Sequence, residues 1–408
     1  MRMASSERSA RFPRILLAAP HRLAFLVGTL NVIALALWWL AQMAGLHLIP
    51  LNLPSGNLPP TLLHGPAMLY LLLPPFIFGF LMTVFPRWMG YPDLAAGQYG
   101  PVAVLLATGS LLAHSGLWLG IDAILMSGFT VFGTGWALAL LVLGQLIRQN
   151  ASDAKAICWH AVSALAALTL GLIGLLAALA FFATASAEVL KIANRIGITL
   201  FLLPVFLTVC HRMVPFFAGS AVKDYVRWRP DWLIGALWIL LAAKFAADLG
   251  GWLAFDLLAS TALAALSGFM AWKWWPRGSA PGLFKVLIWG FVWAPVGFSL
   301  STFKALGFNL GRAPDHALMI GFSCSLLIAM VTRVTHGHSG RPLEMSAAAW
   351  IAFFSIQIAA FLRVSAAIAD EHGFLLISAA GAFLVGPLPW LLRHAKIYGT
   401  PRLDGKPG

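Results

Sequence analysis

Twelve apolar runs of about 20 residues follow one another along this chain, each long enough to cross a hydrocarbon core of roughly 30 Å as an α-helix. They fall near residues 23–45, 62–85, 101–119, 123–147, 156–183, 188–211, 231–249, 253–274, 284–307, 315–333, 345–368 and 373–393. The turn DLGGW divides the seventh from the eighth. The runs are continuous rather than alternating, so helices and not barrel strands are the spanning element. Charged residues make up only 10% of the 408, against 60% hydrophobic, too few for the charged shell of a soluble domain of this size. Tryptophans gather at the run ends, as at Trp38, Trp39, Trp88, Trp228, Trp274 and Trp275, where interfacial belts form. The first run is too long for a cleaved signal peptide and lacks a small-residue cleavage site. We therefore expect an all-α integral membrane protein forming one polytopic domain over 1–408.

The net charge of +13 invites a nucleic-acid reading, but its distribution argues against one. With the N-terminus in the cytoplasm, 21 of the 27 lysines and arginines fall on the cytoplasmic side. The other six are Lys191, Arg195, Lys244, Lys304, Arg312 and Arg363. Such a bias sets orientation in a bacterial inner membrane, with a basic segment 1–22 and a tail 394–408 both cytoplasmic. The basic end also attracts anionic lipid, so the bilayer itself is the partner that the charge identifies. Cys158, Cys210 and Cys324 all lie within helices, form no C-x-x-C pair and read as small apolar packers.

A weak internal repeat is visible. The second run ends LMTVFPRWMG, the sixth LTVCHRMVPFF and the tenth AMVTRVTHGHSGRP. Arg87, Arg212 and Arg333 are 125 and 121 residues apart, four helices each time. Three four-helix repeats would give this spacing, and so would the ordinary frequency of arginine at cytoplasmic helix ends.

Histidines supply the candidate chemistry. His64 and His316 open the second and tenth helices at the same membrane face, the geometry that bis-histidine haem ligation needs. Met68, one turn after His64, offers a thioether instead. Along straight helices, however, the two histidines differ in depth by roughly 9 Å, and Pro74–Pro75 should kink the second helix. Lys191 and Arg195, one turn apart at the start of the sixth helix, could receive haem propionates or snorkel to headgroups. Lys244 and Asp248 fit an i,i+4 ion pair. Cys158 with His160, and Cys210 with His211, match no defined copper motif. No Walker, G-x-S-x-G or H-E-x-x-H sequence is present, so hydrolysis and phosphoryl transfer lack their machinery.

The stretch HALMIGFSCSLLIAMVTRVTHGHSGRPL, 316–343, resembles the NnrS family of bacterial inner-membrane proteins. GFLMTVFPRWMGYP, 79–92, and HRMVPFF, 211–217, resemble two further blocks of that family, in the same order. The resemblance implies a haem-containing, copper-containing membrane protein linked to nitric oxide and nitrosative stress. It carries a tenth-helix histidine onto His316 and a Gly-His-Thr-Gly-Arg-Pro block onto Gly337, His338, Ser339, Gly340, Arg341 and Pro342. The family opens its second helix with His-x-His-Glu-Met. Here the residues are His64, Gly65, Pro66, Ala67 and Met68, so Pro66 and Ala67 replace a histidine and a glutamate, and copper is less expected than haem. The haem–copper oxidase large subunit, with twelve helices in three arcs, is similar at the level of fold.

We accordingly expect a b-type haem held by His64 and His316 (or Met68), with Lys191 and Arg195 near its propionates and nitric oxide or a related gas as ligand. His338 is a further candidate ligand. Arg333 and Arg341 are expected to form a structural collar on carbonyls, phosphates or Glu344, with Gly337 and Gly340 allowing a tight turn. No residue identifies a redox partner, and a homo-oligomer is compatible with this reading. A transporter with a midplane path at Pro74–Pro75, Pro204 and Pro295, or a membrane protein that has lost its metal, are the alternatives.

Overall fold

The computed structural model describes residues 14–369 and 372–405. Most of the basic segment expected over 1–22 thus lies outside the described residues, as do 406–408 of the tail. Among the described residues, twelve helices are long and apolar enough to span a membrane. We number them α1 (Pro20–His47), α2 (Pro60–Trp88), α3 (Ala96–Leu119), α4 (Asp122–Ser152), α5 (Trp159–Thr184), α6 (Ala187–Ala221), α7 (Trp232–Gly250), α8 (Leu253–Trp274), α9 (Gly282–Ala305), α10 (Ala313–Ser339), α11 (Ala347–Ile368) and α12 (Gly373–Tyr398). No strand occurs among the described residues. The chain is an all-α integral membrane protein. Each expected run lies within or close to its helix; α6 and α10 run ten and six residues further than expected, to Ala221 and Ser339.

Large apolar side chains such as Leu30, Leu111, Ile239, Phe255 and Phe361 stand exposed on the outer surface, as lipid-facing positions should. Polar and small residues turn inward instead. A Cβ on Gly109 or Gly116 of α3 would collide with the backbone of Phe132 or Leu125 in α4, and one on Gly128 of α4 with Ala113. Small residues there let two backbones pack closely, which matters because burial from water does not drive helices together within lipid.

Three helices are central. The apolar windows of α2, α6 and α10 are 89, 83 and 72% buried, against at most 56% for any other span. These are the helices that carry Arg87, Arg212 and Arg333. Each also widens to π geometry, over Met68–Leu72, Ile196–Leu202 and Ala317–Cys324. The π segments begin 19, 16 and 16 residues before the respective arginines. This shared defect is independent of the arginine spacing and supports a threefold repeat of four helices.

A π turn or a proline disturbs the helical hydrogen-bond ladder, and in lipid each freed group needs another partner. Pro75 has no N–H, so the Leu71 carbonyl one turn earlier loses its donor. Asn31 of α1 replaces it: its Nδ2 donates to Leu71 O at 2.7 Å and to Ser110 Oγ at 2.9 Å. Its Oδ1 accepts from His114 Nε2 at 3.0 Å. His114 is therefore part of a structural clamp joining α1, α2 and α3. Tyr70 donates to Ala193 O at 2.6 Å, tying the π region of α2 to that of α6. Ser323 donates to Leu318 O at 3.0 Å within the π segment of α10.

The start of α1 meets the end of α12. Arg22 at the start of α1 donates to Tyr398 O at 3.1 Å and Thr400 O at 2.8 Å, on one face of the bundle as an even number of spans implies.

Replacing Asn31 by Leu leaves the Leu71 carbonyl and His114 Nε2–H buried without their partner. We expect a loss of about 1–3 kcal/mol of stability, read as an earlier transition when the protein in mixed micelles is titrated with denaturing detergent. An unchanged transition would show that the Leu71 carbonyl has another donor.

Candidate functional site

His64 on α2 and His316 on α10 come together. Their ring centroids are 6.5 Å apart and their planes lie within 18°. The depth difference expected for straight helices does not keep them apart, because α2 breaks its ladder at Pro74–Pro75 and neither helix is regular below its histidine. His316 Nδ1 lies 2.9 Å from Arg312 O. A carbonyl only accepts, so Nδ1 carries the proton and Nε2 keeps its lone pair, the tautomer that a metal requires. His64 stacks on Trp39 at 3.8 Å, and its Nδ1 is buried without a hydrogen-bond partner. Gly65 leaves room beside it: a Cβ there would strike the Asn194 amide of α6, whose Oδ1 is also buried without a partner. Arg363 of α11 is an electrostatic neighbour of both imidazoles. Met68 lies at the start of the π segment, half-buried.

Lys191 and Arg195 take different places. Lys191 is exposed, with Nζ 3.4 Å from Leu249 O. Arg195 pairs with Asp315 at 3.0 Å and Asp248 at 3.5 Å. Lys244 lies 3.7 Å from Asp248, the i,i+4 pair read from the sequence, and 2.7 Å from Asp256. These contacts form one chain, Asp256–Lys244–Asp248–Arg195–Asp315, across α6, α7, α8 and α10. It ends on the residue preceding His316, where Arg312 adds a contact at 3.3 Å. Isolated intramembrane charges are costly, and here each carboxylate finds a cation.

At the opposite end the arginines behave individually. Arg87 holds Asp93 in a two-point contact at 2.8 Å each, which keeps the Asp93 carboxyl below its ordinary range. Arg212 covers the Trp88 ring, and Arg333 stacks on Phe217 at 3.7 Å instead of meeting carbonyls or Glu344. The cause is the extra length of α6, which carries Phe217 under α10. Arg341 has a buried Nη1 without a partner. Gly340 adopts φ +70° and caps α10 by donating to His336 O, whereas Gly337 stays in the helix. Pro342 O accepts from His336 Nδ1 at 2.8 Å. His338 lies with its ring centroid 4.8 Å from that of His21, among Arg22, Arg87, Asp93 and Arg402. His160 and His211 satisfy each other at 2.9 Å, and His211 donates on to Pro230 O at 3.1 Å. Three of their four ring nitrogens are thus engaged beside Cys158 and Cys210. No cluster of three His, Cys, Asp or Glu side chains able to hold a metal occurs among the described residues.

Sequence reasoning missed Trp39, Asn194 and Arg363. Trp39 was legible only as an interfacial tryptophan, and Arg363 only as one of six cations away from the basic side.

A twelve-helix membrane protein with two imidazoles converging between its second and tenth spans defines the class. More specifically, the family model described as NnrS protein matches residues 15–402, and the chain belongs to that family. No curated protein matches the chain.

Asp315→Asn removes the closer partner of Arg195 and leaves Asp248 at 3.5 Å. The expected loss is a few kcal/mol, below the roughly 3–5 of a buried charge left wholly unpaired. The same detergent titration measures it, and Asp315→Asn combined with Arg195→Gln should cost less than the two single losses added together.

Proposed function

We propose that this protein binds haem in the bacterial inner membrane and takes part, as an NnrS-type protein, in the response to nitric oxide and nitrosative stress. The observation that carries the reading is the His64–His316 pair. A metal bonded to two facing imidazoles at about 2 Å each puts their ring centroids roughly 6 Å apart, and these stand at 6.5 Å. The Arg312 carbonyl fixes the ligating tautomer of His316, and the buried, unpartnered Nδ1 of His64 shows a ring whose polar needs the protein alone does not meet.

Trp39 holds the His64 ring from one side, which restricts its rotation. A haem held by His64 and His316 would supply an iron centre for electron transfer or gas binding. Arg363 is an electrostatic neighbour of both rings and adds positive charge beside them, while Arg195 already meets two carboxylates. Pro66 and Ala67 offer no donor atom in their side chains, so a second metal beside His64 is not part of the proposal.

Both termini are placed in the cytoplasm. In support, Arg22 ties the start of α1 to the end of α12, and that end of the bundle carries most of the lysines and arginines.

Purified protein should show a Soret band that is lost or strongly weakened in His64→Ala and in His316→Ala, persists in Met68→Leu, and shifts on addition of nitric oxide. A colourless wild type that binds a solute would move the reading to a transporter, and a colourless inert one to a membrane protein without its metal. A fluorescent protein that matures only in the cytoplasm, fused after residue 408, should be bright; a dark fusion with an active periplasmic reporter would reverse the orientation.

A further inference from the structure

Arg333 borders a cavity of about 180 Å³ between α6, α9 and α10 at the basic end of the bundle. Phe284 and Leu287, both buried, line its inner side, and Ser220, Pro281 and Leu343 stand exposed at its mouth. Leu287 and Met330 also line a second cavity, of about 50 Å³, between α2, α6 and α10. Every side chain around that second space is apolar or a thiol, with Phe76, Phe80 and Phe206 among them. The two cavities meet at Leu287 and Met330 and lead inward from a cation to an apolar centre.

The charge of Arg333 is unanswered. Its guanidinium lies over the Phe217 ring at 3.7 Å and, among the described residues, takes part in no hydrogen bond and no ion pair. A guanidinium carries five N–H donors around its rim, and stacking on a ring uses none of them. Ser220 is the one other side-chain donor in the lining, and its Oγ already donates to Phe217 O at 2.9 Å. A second cation stands nearby. Arg227, in the loop between α6 and α7, is exposed and packs against Gly219, where a Cβ would strike its guanidinium. It too meets no carboxylate among the described residues.

We propose that these two cavities form a binding site for an anionic amphiphile with an unbranched hydrocarbon chain. Its carboxylate or phosphate sits on Arg333, and its chain runs past Leu287 and Met330 towards the centre of the bundle. The planar guanidinium matches either oxyanion in a two-point contact. The volume is sufficient: an apolar cavity of about 150 Å³ already takes a benzene ring. Met330, at the junction, is the kind of side chain that re-packs around a chain. Charge selects the head group. A neutral alcohol leaves the cation uncompensated, and an ethanolamine or choline head brings a cation that Arg227 and Arg333 oppose. The site lies at the opposite end of α10 from His316 and is independent of the haem reading. A bound chain would join α9 to two of the three central helices.

The test uses the full-length protein in phosphatidylcholine nanodiscs and a palmitate carrying a photoactivatable diazirine on its chain. After illumination, mass spectrometry of peptides should find the adducts concentrated around Leu287 and Met330. Excess oleate should reduce this labelling at least tenfold, and oleyl alcohol should not. Arg333→Leu should reduce it at least tenfold, with Arg333→Lys keeping more of it than Arg333→Leu. Met330→Phe, which leaves the charge in place and narrows the junction, should also reduce it; it replaces Arg333→Leu should that variant not elute as a monodisperse species. Competition by phosphatidylglycerol as strong as that by oleate supports the site with a leaflet lipid as its source, and competition by oleate alone supports it with a free fatty acid. Labelling spread over the lipid-facing helices, or unchanged in the Arg333 and Met330 variants, overturns the proposal. Equal competition by oleyl alcohol overturns the role of the charge. Competition by inorganic phosphate alone overturns the amphiphile and leaves a simple oxyanion site.

Discussion

Inside a bilayer every backbone N–H and C=O must be satisfied by the protein itself, and the three central helices of this bundle break that rule locally. Prolines and π turns in α2, α6 and α10 free carbonyls that straight helices would have kept. Side chains from neighbouring helices and turns then take over: Asn31 at Leu71, Tyr70 at Ala193, Ser323 at Leu318. Each repair ties a defect to a specific partner, so the irregularity makes the central packing more specific. It also permits His64 and His316 to face each other, which two regular helices with their sequence spacing would not do.

Charge is handled in a similar way. The chain from Asp256 to Asp315 crosses four helices and ends beside His316. Removing any member leaves a neighbour poorly compensated in a medium where that is costly. The network thereby couples the position of α10 to those of α6, α7 and α8. At the other end of the molecule the arginines lie over aromatic rings or bind a loop carboxylate, where interfacial water keeps such pairs inexpensive.

Hydropathy made the twelve spans legible, because a lipid-facing helix must be apolar along its whole length. It also exposed the arginine spacing behind the repeat. Less legible were the deviations. Nothing in MLYLL or ALMIGFSC marks a π turn, since the signal is the packing around it. Arg195 was legible as a buried cation but not as the partner of Asp248 and Asp315, which lie 53 and 120 residues away along the chain. The meeting of His64 and His316 could be read from the repeat. That of His336 and His394 could not, because α12 lies outside the three repeat-related helices and brings its histidine in through tertiary packing alone.

The histidines show why residue type is a poor guide to chemistry here and the individual nitrogen a better one. His114 donates to Asn31, and His160 and His211 bond each other with a further donor bond to Pro230. These rings act as polar fasteners between helices. His316, His336 and His394 each give Nδ1 to a backbone carbonyl and so leave Nε2 unprotonated, buried in His336 and His394. A backbone carbonyl four to six residues from the ring costs no extra side chain, and it fixes the tautomer through local geometry alone. The same local device appears at both ends of α10, once beside His64 and once beside His394, and at each end it leaves paired imidazoles that the protein's own donors do not satisfy.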